Sequence, residues 1–157
     1  MKKALLLIAA FVTIGTFANA QNALGVRLGG GQGYGAELSW QMGLGGNRLE
    51  IDLGLRSDEH FTAFNLYGIY QWTGTIAGNF GWFAGVGACL GYWNWEKNYV
   101  HDGDGNIGLA AVGQAGLEYN FQAVPIQLSL DIRPKFYILP ETEFHWGDIA
   151  LGIRFRF

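Results

Sequence analysis

The last ten residues, Asp148 to Phe157, alternate without a fault. Ile149, Leu151, Ile153, Phe155 and Phe157 fall on one side, and Asp148, Ala150, Gly152, Arg154 and Arg156 on the other. A period of two is that of a strand with one apolar and one polar face. The rest of the chain must therefore supply strands against which this one can close.

Seven further segments alternate in the same way, at about 22–29, 34–42, 48–56, 62–72, 80–93, 107–120 and 126–135. In the third, Leu49, Ile51, Leu53 and Leu55 oppose Arg48, Glu50, Asp52 and Arg56. In the fifth, Trp82, Val86, Leu90 and Tyr92 oppose a nearly bare face of glycines. Each segment has about the 9–11 residues that a tilted strand needs to cross a bilayer, or a few more. The connections after segments two, four and six read as compact turns at 43–47, 73–79 and 121–125. Those after segments three, five and seven read as longer polar loops at 57–60, 94–106 and 138–147, with 29–33 the short exception. Both ends of the barrel chain are expected on the short-turn side.

Period two does not say which face is outside. A soluble barrel hides its apolar face, and a membrane barrel shows it. Three observations favour the second. Every charge in the segments lies on the polar face: Arg27, Glu37, Arg48, Glu50, Asp52, Arg56, Glu118, Asp131, Arg133, Asp148, Arg154 and Arg156. That face is glycine-rich and its signs nearly balance, which suits paired charges in a narrow lumen. Aromatics end the apolar face, with Trp40, Trp72, Phe80, Trp82, Tyr119 and Phe157 near the short turns and Tyr34 and Tyr92 near the loops. These are expected to form two interfacial girdles.

Composition agrees. Only 15% of the 157 residues are charged, where a soluble surface carries about 25–35%. Beyond the amino-terminus no run of about 18 apolar residues remains to form a membrane helix. The amino-terminus itself reads as a signal peptide over 1–20: a basic Lys2-Lys3 start, an apolar run, and Ala18-Asn19-Ala20 before Gln21. The barrel then occupies 21–157. Loss of Lys2 and Lys3 takes the formal charge from −3 to two units lower, so no nucleic-acid partner is expected. Cys89 lacks a second cysteine and reads as a small packing residue.

Several stretches carry a resemblance: Tyr34-Gly35-Ala36-Glu37, Asn65-Leu66-Tyr67-Gly68, Gly85-Val86-Gly87-Ala88, Gly116 to Phe121, Pro125 to Pro134, and Ile153 to Phe157. They resemble the small outer-membrane β-barrel family frequent in Bacteroidota and, more distantly, the OmpA/OmpX-type barrels. The resemblance implies an all-β fold: an eight-stranded antiparallel up-and-down transmembrane β-barrel in the outer membrane of a Gram-negative cell envelope. It implies outer-membrane lipid as surroundings. It also implies that the barrel assembly machinery reads the last strand, which ends in Phe157. It brings no assigned reaction.

Other chemistry is weighed residue by residue. His60, His101 and His145 fall in expected external loops beside carboxylates such as Asp102 and Asp104. Imidazole with carboxylate suits zinc, but the spacing is no metal motif. Asp102-Gly103-Asp104-Gly105-Asn106 starts like a calcium loop, yet Ile107 stands where glycine is required. Ordinary turn chemistry explains it. Ser57 with His60 and Asp58 or Glu59 is the sole local hydrolase-like cluster. The expectation is a non-enzymatic barrel without cofactor, its lumen plugged by charge, acting through external loops on a partner that the sequence does not name. The alternatives are a small-solute, porin-like channel and, third, a lipid-modifying enzyme.

Overall fold

The computed structural model describes residues 22–31, 33–58, 61–95, 106–140 and 142–157. The expected leader over 1–20 lies outside them, as do His60, His101, Asp102 and Asp104. The chain forms eight strands: β1 Ala23–Gly31, β2 Gly33–Leu44, β3 Asn47–Asp58, β4 Phe61–Ala77, β5 Phe80–Trp95, β6 Asn106–Asn120, β7 Ile126–Leu139 and β8 Glu143–Arg156. Each pairs antiparallel with its neighbour in sequence, and β1 pairs with β8, so the barrel is closed. Closure leaves no free strand edge.

The registers set the width of the barrel. From Gly30 the ladder runs through Ile149, Ile132, Ala115, Ala84, Trp72 and Asn47 to Leu44. Leu44 lies three positions past Gln41, the partner of Ala23, and Ala23 is seven positions from Gly30. One circuit thus staggers by ten residues. With about 3.3 Å rise and about 4.8 Å between strands, that stagger over eight strands tilts them by roughly 40°. An eight-stranded barrel of this kind is just wide enough for side chains to fill.

The wall is apolar outside and polar inside. Leu28, Leu38, Leu53, Leu66, Leu90, Leu117 and Leu151 face outward. Arg27, Glu50, Asp52, Asp131, Arg133 and Arg154 are buried in the lumen. Trp40, Trp72, Phe80 and Trp82 are exposed on the outer wall toward the short turns, with Tyr119 and Phe157 half-buried beside them. Tyr92 marks the other end, joined there by Phe64, Phe136, Phe144 and Trp146. Trp82 and Tyr92 stand ten residues apart on β5. At the tilt above that is about 25 Å along the barrel axis, the height of a membrane barrel's apolar band.

The alternating segments all become strands, but several run longer than expected. The fourth continues to Ala77, leaving a turn at Gly78-Asn79. The expected loop at 138–147 is mostly strand, since β7 runs to Leu139 and β8 begins at Glu143. His145 therefore sits in β8 opposite Lys135, not in a loop. The strand was hidden by a bulge. Two residues, Trp146 and Gly147, oppose the single Pro134 of β7, and Gly147 has φ +80°. A Cβ at Gly147 would lie 1.6 Å from the Arg133 carbonyl oxygen. The extra residue shifts the phase, so Phe144 and Trp146 face outward on even numbers while Ile149 and Leu151 do so on odd ones. On the loop side only residue 32, residues 59–60 and residues 140–142 separate successive strands, while 96–105 separate β5 from β6.

Candidate functional site: a charge network across the lumen

Inward positions of β1, β2, β3, β7 and β8 all carry ions. Arg27 on β1 grips Asp131 on β7, with its Nε 3.0 Å and its Nη2 2.7 Å from Oδ1. Its Nη1 donates to Glu37 Oε2 on β2 at 3.1 Å. The same Glu37 oxygen accepts from Arg133 Nη1 at 2.8 Å. Arg133 Nη2 donates to Glu50 Oε1 at 2.9 Å and also reaches Asp52. The Arg133 guanidinium is thus enclosed by three carboxylates, and it stacks 4.6 Å from the centre of the Tyr67 ring.

Glu50 is the hub. Its Oε1 accepts from Arg133 and from Gln114 Nε2 at 3.1 Å. Its Oε2 accepts from Gln41 and from Arg154 Nη2 at 3.2 Å. A carboxylate offers about four lone-pair sites, and here all are taken. Arg154 is held further by Ser39 Oγ at 2.8 Å and Ser129 Oγ at 2.7 Å. Gln114 accepts from Gln71 at 2.6 Å, and Gln71 in turn accepts from Arg48 Nε. Arg48 pairs with Glu118 at 2.6 Å and lies over the Phe83 ring. One connected network thus runs from Glu118 near the short turns to Asp52 at mid-barrel.

Among the described buried side chains the cations are Arg27, Arg48, Arg133, Lys135 and Arg154, and the anions Glu37, Glu50, Asp52, Glu118 and Asp131. Five stand against five. These groups are buried, so each charge relies on its partners. Burying such pairs adds little stability in itself, while removing one partner leaves a bare buried charge.

Of the expected network residues, Arg156 lies only half-buried at the short-turn mouth, with contacts of its own. The side chains of Arg56 and Asp148 lie outside the described part. Beyond the expected residues, the lumen also holds Lys135, whose Nζ donates to the Tyr67 hydroxyl at 2.8 Å, and the bridging amides Gln41, Gln71 and Gln114. Lys135 keeps the phase of Gln127, Ser129, Asp131 and Arg133, which was the available signal. Near the loop-side mouth Tyr67, Ile69, Cys89, Ala110 and Val112 pack together, with Tyr137 against them. His145 meets Glu143 at 3.1 Å and the edge of the Tyr137 ring. Among the described residues no group of three or more His, Cys, Asp or Glu is placed to hold a metal ion.

Neither a protein-family model nor a curated protein matches the chain. Solved structures do. Neisserial surface protein A matches with a TM-score of 0.62 and 10% identity, over 87% of this chain and 94% of that one. The N-terminal β-barrel domain of Pseudomonas aeruginosa OprF matches with 0.63 and 18%, over 87% and 96%. A de novo designed transmembrane β-barrel matches with 0.50 and 12%, over 88% and 96%. The finer likeness to a Bacteroidota-type family has no family model behind it. The coarser one stands: the fold is the closed eight-stranded barrel of outer-membrane proteins.

Proposed function

We propose that this is an integral outer-membrane barrel, non-enzymatic and closed to solutes, with an envelope or surface-interaction role. One observation carries the reading: a single connected ion network lies across the lumen, and its hub carboxylate has no lone pair to spare. Location in the outer membrane is supported by the apolar outer wall, the two aromatic belts and the barrels it resembles. A leader over 1–20 would carry the chain across the inner membrane. Assembly through the strand ending in Phe157 fits the same reading, as does kinship with the Bacteroidota-type barrels on the motifs above. The inward serines Ser39 and Ser129 both accept from Arg154, so they serve the plug rather than a reaction. With few residues between most loop-side strand ends, a surface partner would meet the strand rims there.

Planar-bilayer recording of the folded protein tests the closed lumen. The expected result is silence. Steady openings would replace this reading with the small-solute channel. A lipid deacylation assay in reconstituted membranes, expected to be negative, tests the non-enzymatic part.

A further inference from the structure

On the short-turn side one hairpin outruns its neighbour. β3 begins at Asn47, opposite Trp72, but β4 runs on past Trp72 to Ala77. β5 stays with it as far as the pair Ala77 and Phe80. The β6 side of this hairpin is covered, since Phe80 pairs with Tyr119 and Asn120 N–H donates to the Asn79 carbonyl at 3.0 Å. The β3 side is not. Thr73 Oγ1 still donates to the Gly46 carbonyl at 2.6 Å, but among the described residues no strand pairs with Gly74 to Ala77 there. A smaller overhang, of β2 beyond the Ala23–Gln41 pair, is capped instead: Gly43 N–H donates to Asn22 Oδ1 at 3.3 Å. A Cβ at Gly45, Gly46 or Gly78 would meet nothing within 4 Å, so the space beside the β4 edge is open.

A free strand edge presents a row of N–H and C=O groups, and another extended chain is what matches their spacing. Such edges are usually guarded by charge, by proline or by a bulge. Gly74-Thr75-Ile76-Ala77 has neither charge nor proline. Its one bulge lies beside the Gly78-Asn79 turn and leaves Ile76 59% exposed. Trp72 belongs to the aromatic belt, so the edge begins where the bilayer ends. A cavity of about 540 Å³ opens on the lumen side of the edge, with Thr73, Gly74 and Thr75 in its lining together with Asn120, Gln122 and Arg156. Successive side chains of an added strand would point to opposite faces. Every second one would meet this polar cavity.

We propose that the edge from Gly74 to Ala77 takes an extended segment of a periplasmic protein as an added strand. The partner is recognised by its backbone. Polar side chains at alternate positions face the cavity, and apolar ones between them lie at the bilayer surface. That the short turns face the periplasm rests on the outer-membrane reading above. Strand addition is measured on the isolated barrel and does not depend on whether the lumen conducts, so bilayer recordings and peptide binding fail separately.

The test uses the full folded chain in lipid nanodiscs and a fluorescein-labelled seven-residue peptide that alternates threonine and valine between terminal lysines. Anisotropy is expected to show saturable binding, and NMR to show slowed amide exchange confined to the hairpin around Thr73 to Ala77. Two further peptides carry backbone N-methyl groups, one on its valines and one on its threonines. Amides of a strand face alternate sides, so one of the two should bind at least tenfold more weakly and the other should not. Ile76→Lys supplies the missing charge guard and should weaken the parent peptide about tenfold. Thr75→Lys repeats the loss should Ile76→Lys fail to fold. Val124→Lys, on the β6–β7 turn, should leave affinity unchanged. No saturable binding, equal binding of the two methylated peptides, or unchanged affinity in both edge variants would overturn the proposal, as would pairing of two barrels through this edge in place of peptide binding.

Discussion

β1, β2, β3, β7 and β8 send arginines and carboxylates into the lumen, whereas β5 presents Gly81, Phe83, Gly85, Gly87, Cys89 and Gly91 there and β4 presents Asn65, Tyr67, Ile69 and Gln71. The two walls face each other and depend on each other. An arginine must cross much of the lumen to meet carboxylates on several strands, and only a bare opposite wall leaves it room. Where that wall does contribute, it offers flat partners: the Tyr67 ring under Arg133 and the Phe83 ring under Arg48. The charged wall specifies the interior, and the bare wall accommodates it.

The comparison can be broken most sharply at Arg133. Arg133→Ala leaves Glu37, Glu50 and Asp52 facing one another without their shared cation. The expected loss is about 3–5 kcal/mol of unfolding free energy, measured by urea titration in lipid vesicles. An unchanged midpoint would mean that the network does not hold the barrel together. Glu37→Gln should cost less, about 1.5–3 kcal/mol in the same titration, because Arg27 and Arg133 keep their other carboxylates.

The packing of β6 against the bare wall, where Gly116 meets Phe83, has its own test. A Cβ at Gly116 would lie 2.5 Å from Phe83 Cζ and 2.6 Å from the Leu130 carbonyl oxygen. Gly116→Ala should therefore destabilise by about 1–3 kcal/mol through overpacking, read from the temperature at which the folded band shifts on unboiled gels. The smallest effect is expected in the apolar cluster near the loops. Ile69→Val removes one buried methylene and should cost about 0.5–1.5 kcal/mol. If it matched Arg133→Ala, the division between the two walls would be the wrong description of the interior.

Most of this interior was legible from alternation alone, because each strand keeps one face apolar and one polar. Leu128, Leu130 and Ile132 against Gln127, Ser129 and Asp131 needed only counting by twos. Alternation loses its phase where the backbone bulges. The bulge at Trp146-Gly147 inverts the phase of β8, so Glu143 to Gly147 reads as a polar loop although His145 lies in the strand. Alternation is also silent on how the uncharged members join the network. Gln71 and Gln114 were visible on polar faces, but nothing in the sequence says that one accepts from Arg48 and the other reaches Glu50. Those links depend on which strands stand opposite across the lumen, a matter of stagger rather than pattern. The outward positions were easier, since lipid asks only for grease and rejects charge.

The equality of buried cations and anions has an electrical consequence. A voltage across a bilayer does about 2.3 kcal/mol of work per 100 mV on each elementary charge that crosses it. A cluster whose described members sum to zero offers that field nothing to push as a body. Polarising the membrane should leave the interior where it stands, a cork rather than a voltage sensor.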